Sequence, residues 1–157
     1  MAHVELSLSE PSFGTQLDGF DSTLDRWAFA VAGANEPCLL LDAAGIVVSA
    51  SPGCAELFGI ETTDAVGRRL VDGVLRLLDF SAVSGELPDW EVDKIPPLLT
   101  LSSGGLSRGL LRVAGHAAGV STVDAISAPL RDGLHVVGSL TFFAPVTRSP
   151  HVSVGGP

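Results

Sequence analysis

A serine flanked by glycines is the feature of this sequence with the most obvious catalytic potential. Residues 105–109, GLSRG, match G-x-S-x-G, the turn on which serine hydrolases present a nucleophile between a strand and a following helix. Around Ser107 the predicted order is reversed, because a leucine-rich helical segment precedes the motif and an alternating, strand-like segment follows it. We therefore interpret the motif as a glycine-rich link into a strand, with a small serine hydrolase using Ser107 as the alternative.

The cysteines and histidines are the residues that could bind a metal ion, and their spacing does not favour one. Cys38 and Cys54 form no CxxC pair, and no two histidines have HxxxH spacing. The histidines are His3, His116, His135 and His151. We predict no metal site, and we interpret the cysteines as small buried hydrophobic residues of a protein in a reducing compartment, the cytoplasm.

The charge of the chain argues against a nucleic-acid partner. Its net charge is −9, and its nine basic residues are not clustered as phosphate binding requires.

No apolar run approaches the roughly 18–20 residues needed to cross a bilayer, so we predict no membrane partner. No secretory signal is visible. Abundant Ala, Gly, Val, Leu and Arg with a single lysine are typical of a bacterium of high GC content, such as an actinobacterium.

The elements that must position these residues begin with a strand–turn–strand–helix unit at residues 36–59, EPCLLLDAAGIVVSASPGCAELFG. Asp42 and Gly45 mark the turn between the two strands. Ser51 can cap the helix, Pro52 suits its first position, and Gly59 can end it in the left-handed conformation. Such a unit presents a hydrophobic surface, which suits ligand binding better than catalysis.

The rest of the chain predicts short helices and then an antiparallel meander. Helices are expected from residue 62 to about 67, at 70–78 and after the Pro96-Pro97 pair, with a looser insertion at 81–95. Strands are expected at 108–113, 122–130 and 134–144, with a hairpin turn at Asp132-Gly133. Alternation in the last strand places Leu140 and Phe142 toward the helices, and Phe143 on the opposite face.

These signals, in this order, resemble a PAS sensory domain. That family has an Asp-x-x-Gly turn between its first strands and an LFG-like helix end, as at residues 42–45 and 57–59. Residues 127–133, SAPLRDG, and 136–140, VVGSL, are similar to the hairpin between its last two strands. The resemblance spans residues 36–146. It implies an α+β fold with a five-stranded antiparallel sheet and short helices on one face, agreeing with the elements predicted above.

The predicted domain organisation follows from this resemblance and from the pattern of the remaining residues. Residues 1–16 are expected to be a weakly ordered tail and 147–157 a mobile tail. Residues 17–35 carry an apolar seam at helical spacing and predict an amphipathic helix ahead of the domain at 36–146. In the family such a helix packs on the outer sheet face or pairs with its copy in a dimer, and both remain open. The residues assigned to this dimer or partner interface are Leu17, Phe20, Leu24, Trp27, Val31, Val137 and Phe143.

An apolar interior between helices and sheet is the remaining candidate site. A small apolar ligand or a filled core would both fit it, because periodicity cannot distinguish them. The residues that would line it are Leu57, Phe58, Val74, Leu78, Leu98, Leu99, Leu111, Val113, Leu140 and Phe142.

The resemblance disfavours the cofactors known in the family. Haem-binding PAS proteins use a histidine on the helix before the meander, and residues 88–104 contain none. Flavin-binding members carry an Asn-Cys-Arg motif, and the single asparagine, Asn35, lies far from any such sequence. The resemblance therefore implies a non-catalytic sensory module that signals by small-ligand binding or protein–protein interaction. We expect it to be a homodimer whose output passes through an unknown signalling protein, or else a ligand-free dimerisation adaptor.

Overall fold

The computed structural model describes residues 22–80, 85–115 and 119–146. The predicted tails and the candidate interface residues Leu17 and Phe20 lie outside these ranges, as do His3, His116 and His151. Within the described ranges, no helix is both long and apolar enough to span a membrane.

One antiparallel sheet of six strands organises the described residues, in the order β2-β1-β6-β5-β4-β3. The strands are β1 (Cys38–Asp42), β2 (Val47–Ala50), β3 (Leu77–Leu78), β4 (Ser107–Ala114), β5 (Val120–Asp132) and β6 (His135–Pro145). The helices are α1 (Thr23–Ala32), α2 (Pro52–Phe58), α3 (Thr62–Ala65), α4 (Asp89–Val92) and α5 (Pro96–Ser103). This confirms the predicted fold class, with β3 added to the five strands expected.

The predicted strand–turn–strand–helix unit is confirmed in its details. Asp42 Oδ1 accepts from the N–H groups of Ala44 (2.8 Å) and Ile46 (3.0 Å), which closes the turn between β1 and β2. Ser51 Oγ caps α2 by accepting from the Cys54 N–H at 3.1 Å. The same oxygen accepts from the Cys38 N–H (2.9 Å) and donates to the Glu36 carbonyl (2.7 Å), so one hydroxyl ties the start of β1 to the helix.

The helix predicted at 70–78 is wrong. Residues Leu70–Val74 form a distorted turn in which Gly73 has φ +89°, and β3 then pairs with β4. Glycine adopts this left-handed backbone without steric cost, so the chain can bend there and bury Leu70, Val74 and Leu77 from a non-helical path. An apolar run alone does not distinguish these two outcomes.

Helix α1 covers one face of the sheet, which we call the outer face. Ser22 caps the helix by accepting from the Asp25 N–H, and the Ser49 hydroxyl of β2 donates to the Ala28 carbonyl at 3.0 Å. Val31 is buried with Cys38, Leu40, Leu130 and Leu140 in the cluster beneath it. A glycine is required at position 138, because a β-carbon there would overlap the Leu41 carbonyl oxygen of β1 and would also lie 2.7 Å from Leu24 Cδ2 of the helix.

The opposite, inner face carries the main core and the remaining helices. Helix α5 lies across it: the Thr100 hydroxyl donates to the Ser127 carbonyl (3.1 Å), and Ser139 Oγ of β6 donates to the Pro97 carbonyl (2.9 Å). The core cluster joins strand residues with α2, α3 and the Leu70–Val74 turn. The sheet is therefore covered on the inner face by several short helices and on the outer face by one.

The facing predicted for the second half of β6 is reversed. Leu140 lies in the outer cluster and Phe142 is 45% exposed on the outer face, whereas Phe143 is 3% exposed in the inner core. The cause is a bulge: Leu130 pairs with Gly138 but Arg131 with Val136, so Val137 is an extra residue in β6. A single extra residue moves every following side chain to the other face, because side chains alternate with a period of two.

Candidate functional site

The interior between the inner face and the helices brings together part of the predicted ligand-lining set. Phe58, Val74, Leu111 and Val113 are buried in the core, and Leu57 and Leu98 pack against it. Leu78 is half-buried in β3, and Leu99 is exposed on α5. Leu140 and Phe142 do not belong to this interior, because both lie on the outer face.

Two aromatic side chains meet in this interior. The rings of Phe58, from α2, and Phe143, from β6, meet edge to face with centroids 4.9 Å apart. Helix and sheet side chains are therefore in direct contact where a ligand cavity between them would lie. Two cavities bounded by the Leu70–Val74 turn are partly open to solvent rather than enclosed.

The polar groups of the interior bond to one another. Thr141 Oγ1 lies 3.0 Å from Ser127 Oγ, beside the Thr100 and Ser139 hydrogen bonds described above. Among the described residues, no buried side-chain nitrogen or oxygen lacks a hydrogen-bond partner. A ligand in this interior would therefore find, within the described part of the chain, no unpaired buried side-chain group to fix its orientation.

The two thiols lie on opposite faces of the sheet and are poorly suited to reaction. Burial raises the pKa of the Cys54 thiol to about 12, and Cys38 adds to the shift. Burial likewise raises the pKa of Cys38. Both thiols are fully enclosed and protonated at neutral pH, whereas nucleophilic cysteines need the thiolate and access to solvent.

Ser107 follows a helix and begins a strand, as the sequence predicts. It is buried at the start of β4, where Gly104 closes α5 in the left-handed conformation and Ser127 of β5 lies opposite. A nucleophile elbow requires a strand before the serine and a helix after it. The geometry at Ser107 therefore does not present the hydroxyl to a substrate.

The outer face is only half covered by α1. Leu110 of β4, Ile126 of β5 and Phe142 of β6 remain exposed there, and we call these three residues the outer patch. Ile126 lies directly opposite Phe142 in the β5–β6 pairing. On α1, Trp27 (41%) and Phe29 (54%) also expose large aromatic surfaces, whereas Leu24 and Val31 of the predicted interface pack onto the sheet.

One ion pair borders the outer patch. The Arg108 guanidinium donates to both oxygens of Asp124 across β4 and β5, at distances of 2.6–3.2 Å. This hydrogen bond lowers the pKa of the Asp124 carboxyl. The patch therefore combines an apolar surface with a rim whose two charged groups bond to each other. Many protein interfaces have this composition.

A second surface feature is a groove of about 290 Å³ at the free side of β4, which we call the β4-edge groove. Its lining residues are Leu77, Leu78, Phe80, Leu87, Glu91, Lys94, Ile95, Pro96, Leu99 and residues 108–112. Sequence reasoning identified neither this groove nor the outer patch. The alternation of arginine with leucine in β4 could have indicated the patch, but the groove depends on where β3 ends.

Solved structures of signalling domains have this same arrangement. The PAS domain of the fruit-fly ELK potassium channel superimposes with a TM-score of 0.62, at 16% identity over 82% of this chain and 100% of that one. The chain has the PAS fold. A light-oxygen-voltage domain studied with a flavin analogue has a TM-score of 0.57 at 22% identity, covering 76% of this chain and 83% of that one.

A third similar structure is the PAS domain of a two-component sensor histidine kinase, with a TM-score of 0.53 at 14% identity over 76% of this chain and 93% of that one. No protein-family model and no curated protein matches the sequence. The similarity is thus one of fold, and it is shared with sensory signalling domains of channels, kinases and photoreceptors.

At the contact between Phe58 and Phe143, the interior of this PAS fold has no room for a flavin ring. A flavin has a broad planar ring with polar edges, and here the contact of Phe58 with Phe143 occupies the space between helix and sheet. The neighbouring hydroxyls are already paired, and Cys54 is enclosed. In the parts of the chain that the structure describes, no three His, Cys, Asp or Glu side chains are grouped to hold a metal ion.

Proposed function

We propose that this chain is a non-catalytic sensory or regulatory PAS module that forms a homodimer in the bacterial cytoplasm and acts through a partner protein. The observation that carries this proposal is the outer patch beside α1. Contiguous exposed apolar surface on a folded domain typically marks an interaction site. The unlinked thiols support a reducing compartment.

A second copy of the chain is the occupant that best matches the outer patch. Trp27 and Phe29 of α1 and Phe142 of β6 lie on or beside the same face, so a two-fold arrangement would cover the patch of each protomer with α1 of the other. Aromatic residues are the usual anchors of such interfaces. Phe143, predicted for this interface, is excluded from it because it is buried in the core.

Signalling in this proposal is a change in the position of α1. The contacts of the helix with the sheet include a hydrogen bond from Ser49, the packing of Leu24 beside Gly138, and the cluster around Val31. A ligand or partner that binds one placement of α1 more tightly than another shifts the population between them. The packed interior favours a second candidate function, in which the module is a dimerisation adaptor without a small ligand.

Sedimentation equilibrium with structure-based variants tests the dimer. We expect Phe142→Asp to convert the dimer to a monomer, because it places a charge in the centre of the buried patch. The matched control is Leu134→Asp, at a hairpin residue that is 92% exposed and outside the patch, and it should leave the dimer intact. A wild-type chain that is monomeric at every soluble concentration would refute the homodimer. Native mass spectrometry then separates the two functions, because only the sensor should retain a small molecule.

A further inference from the structure

Strand β4 is longer than the strand beside it. All eight of its residues, Ser107–Ala114, pair with β5 on one side. On the other side β3 pairs only with Arg112 and Val113. In the described part of the chain, no strand lies opposite the first five residues of β4, so this edge of the sheet is open.

The backbone groups at this edge can be assigned individually. The Ala114 N–H donates to the Arg76 carbonyl at 2.9 Å, so the even-numbered residues of β4 direct their N–H and C=O groups toward β3. Arg108 and Leu110 have the same parity but lie beyond the end of β3. Their backbone groups have no hydrogen-bond partner among the described residues, whereas those of Gly109 and Leu111 are directed to β5. An open edge of this kind is a template for one more strand.

The β4-edge groove follows this edge and supplies side-chain pockets beside it. Residues 108–112 line it consecutively, which means that it runs along the strand past both faces. Its walls are mainly apolar, with Leu77, Leu87, Ile95 and Leu99 contributed by β3, the loop after it, and the start of α5. An added strand would place alternate side chains against these walls.

The charges in the groove favour an acidic occupant. Three cations line it, Lys94, Arg108 and Arg112, against one carboxylate, Glu91, although the chain as a whole has a net charge of −9. Arg108 is paired with Asp124, and Arg112 Nη1 donates to the Asp79 carbonyl at 3.3 Å. The Lys94 ammonium lies 5.0 Å from the Trp90 ring centroid and has no carboxylate partner within the described residues. It is the cation available to an incoming carboxylate.

We propose that the open edge of β4 binds an extended segment of the partner protein as an additional antiparallel or parallel strand, with apolar and carboxylate side chains alternating. Backbone hydrogen bonds to Arg108 and Leu110 hold the segment, the apolar walls select its inward residues, and Lys94 selects its carboxylates. The inference deepens the proposed function and rests on it for the existence of a partner. It does not depend on the dimer, since the groove lies within one protomer.

Amide hydrogen exchange of the full chain tests this contact, with a seven-residue synthetic peptide of alternating valine and glutamate as the probe. The peptide should slow exchange at Arg108 and Leu110 and leave Gly109 and Leu111 unchanged, because only the first two have free amides. A peptide N-methylated on the edge that faces β4 should not bind, whereas methylation on the other edge should be tolerated. Equal binding of the two methylated peptides would overturn the proposal without any change to the protein.

Protein variants provide matched controls for the same measurement. Leu110→Pro removes the edge N–H and should weaken peptide binding about tenfold or more, whereas Leu110→Ala, which keeps that N–H and only shortens the side chain, should weaken it clearly less. Lys94→Glu should transfer the preference to a peptide of alternating valine and lysine. Binding that is unaffected by Leu110→Pro and Lys94→Glu in a folded protein would refute the site.

The other possible occupants give different results. Protection of Arg108 and Leu110 that increases with protein concentration, without peptide, would assign the edge to a second copy. Protection that is lost when residues 1–16 are deleted would assign it to the chain's own amino-terminal segment. Either result would overturn the proposal of a partner segment. Peptide binding by the Phe142→Asp monomer would support the strand site even if the homodimer is refuted.

Discussion

Two adjacent phenylalanines in β6 give the sharpest test of the packing. Phe143 is 3% exposed and contacts Phe58 in the inner core, whereas Phe142 is 45% exposed on the outer face. We expect Phe143→Ala to destabilise the fold severely and Phe142→Ala to have little effect on it. The two variants change the same residue type one position apart in the same strand, so each is the control for the other.

The expected difference is large compared with the stability of a domain. Truncating a buried phenylalanine to alanine costs about 3–5 kcal/mol, through lost burial and the cavity that remains. Phe142 leaves no enclosed cavity and is already half in water, so its truncation should cost about 1 kcal/mol or less. Since single domains are stable by only about 5–15 kcal/mol, Phe143→Ala removes a major part of the total.

Urea denaturation followed by far-UV circular dichroism measures the free energy of unfolding of both variants, at a protein concentration low enough to exclude association. In thermal denaturation, at roughly 3 °C per kcal/mol for a chain of this length, Phe143→Ala should lower Tm by about 12 °C. A double-mutant cycle with Phe58→Leu and Phe143→Leu should recover about 1 kcal/mol of coupling from the ring contact. Equal destabilisation by Phe142→Ala and Phe143→Ala would show that the assignment of the two faces is wrong.

Two further predictions concern the Ser51 hydroxyl and the Cys54 thiol of the strand–turn–strand–helix unit. Ser51→Ala should lower the free energy of unfolding by about 2–3 kcal/mol in urea denaturation, because three hydrogen bonds are lost and two buried N–H groups lose their acceptor. The control is Ser22→Ala, which removes an exposed helix cap and should cost about 1 kcal/mol. Similar values for the two variants would contradict the conclusion that Ser51 links β1 to α2. Because burial raises the pKa of Cys54 to about 12, its contribution to stability is complete below the unfolded pKa of 9.0 and is lost as pH rises from there toward 12. At neutral pH, disulfide reagents should therefore modify Cys54 only as fast as the chain opens, and rapid labelling of the native protein would refute this.

The strand–turn–strand–helix unit at residues 36–59 was predicted correctly because its sequence signals are local. Asp42, Ser51, Pro52 and Gly59 act on backbone groups within a few residues of themselves, and the structure places each in the expected role. The resemblance to PAS domains rests on the same kind of signal. Capping and turn chemistry can be read from a sequence because it needs no knowledge of distant contacts.

The errors arose where distant contacts decide the structure. The run at 70–78 has enough apolar residues for a buried helix, but Gly73 bends the chain and pairing with β4 makes Leu77 and Leu78 a strand. The facing of β6 depends on Val137, which becomes an extra residue only through the register of β5. Whether the interior is filled likewise depends on Phe58 meeting Phe143, about which periodicity carries no information.

The bulge at Val137 makes the effect of a deletion in β6 depend on where it falls. Arg131 pairs with Val136 and Leu130 with Gly138, so removing Val137 would leave both pairs in place and keep every later side chain on its present face. Removing Thr141 instead, with the pairing before it unchanged, would turn Phe142 inward and Phe143 outward, because no extra residue lies there. Natural variation should therefore change the length of this hairpin at Val137 more readily than between Ser139 and Phe143.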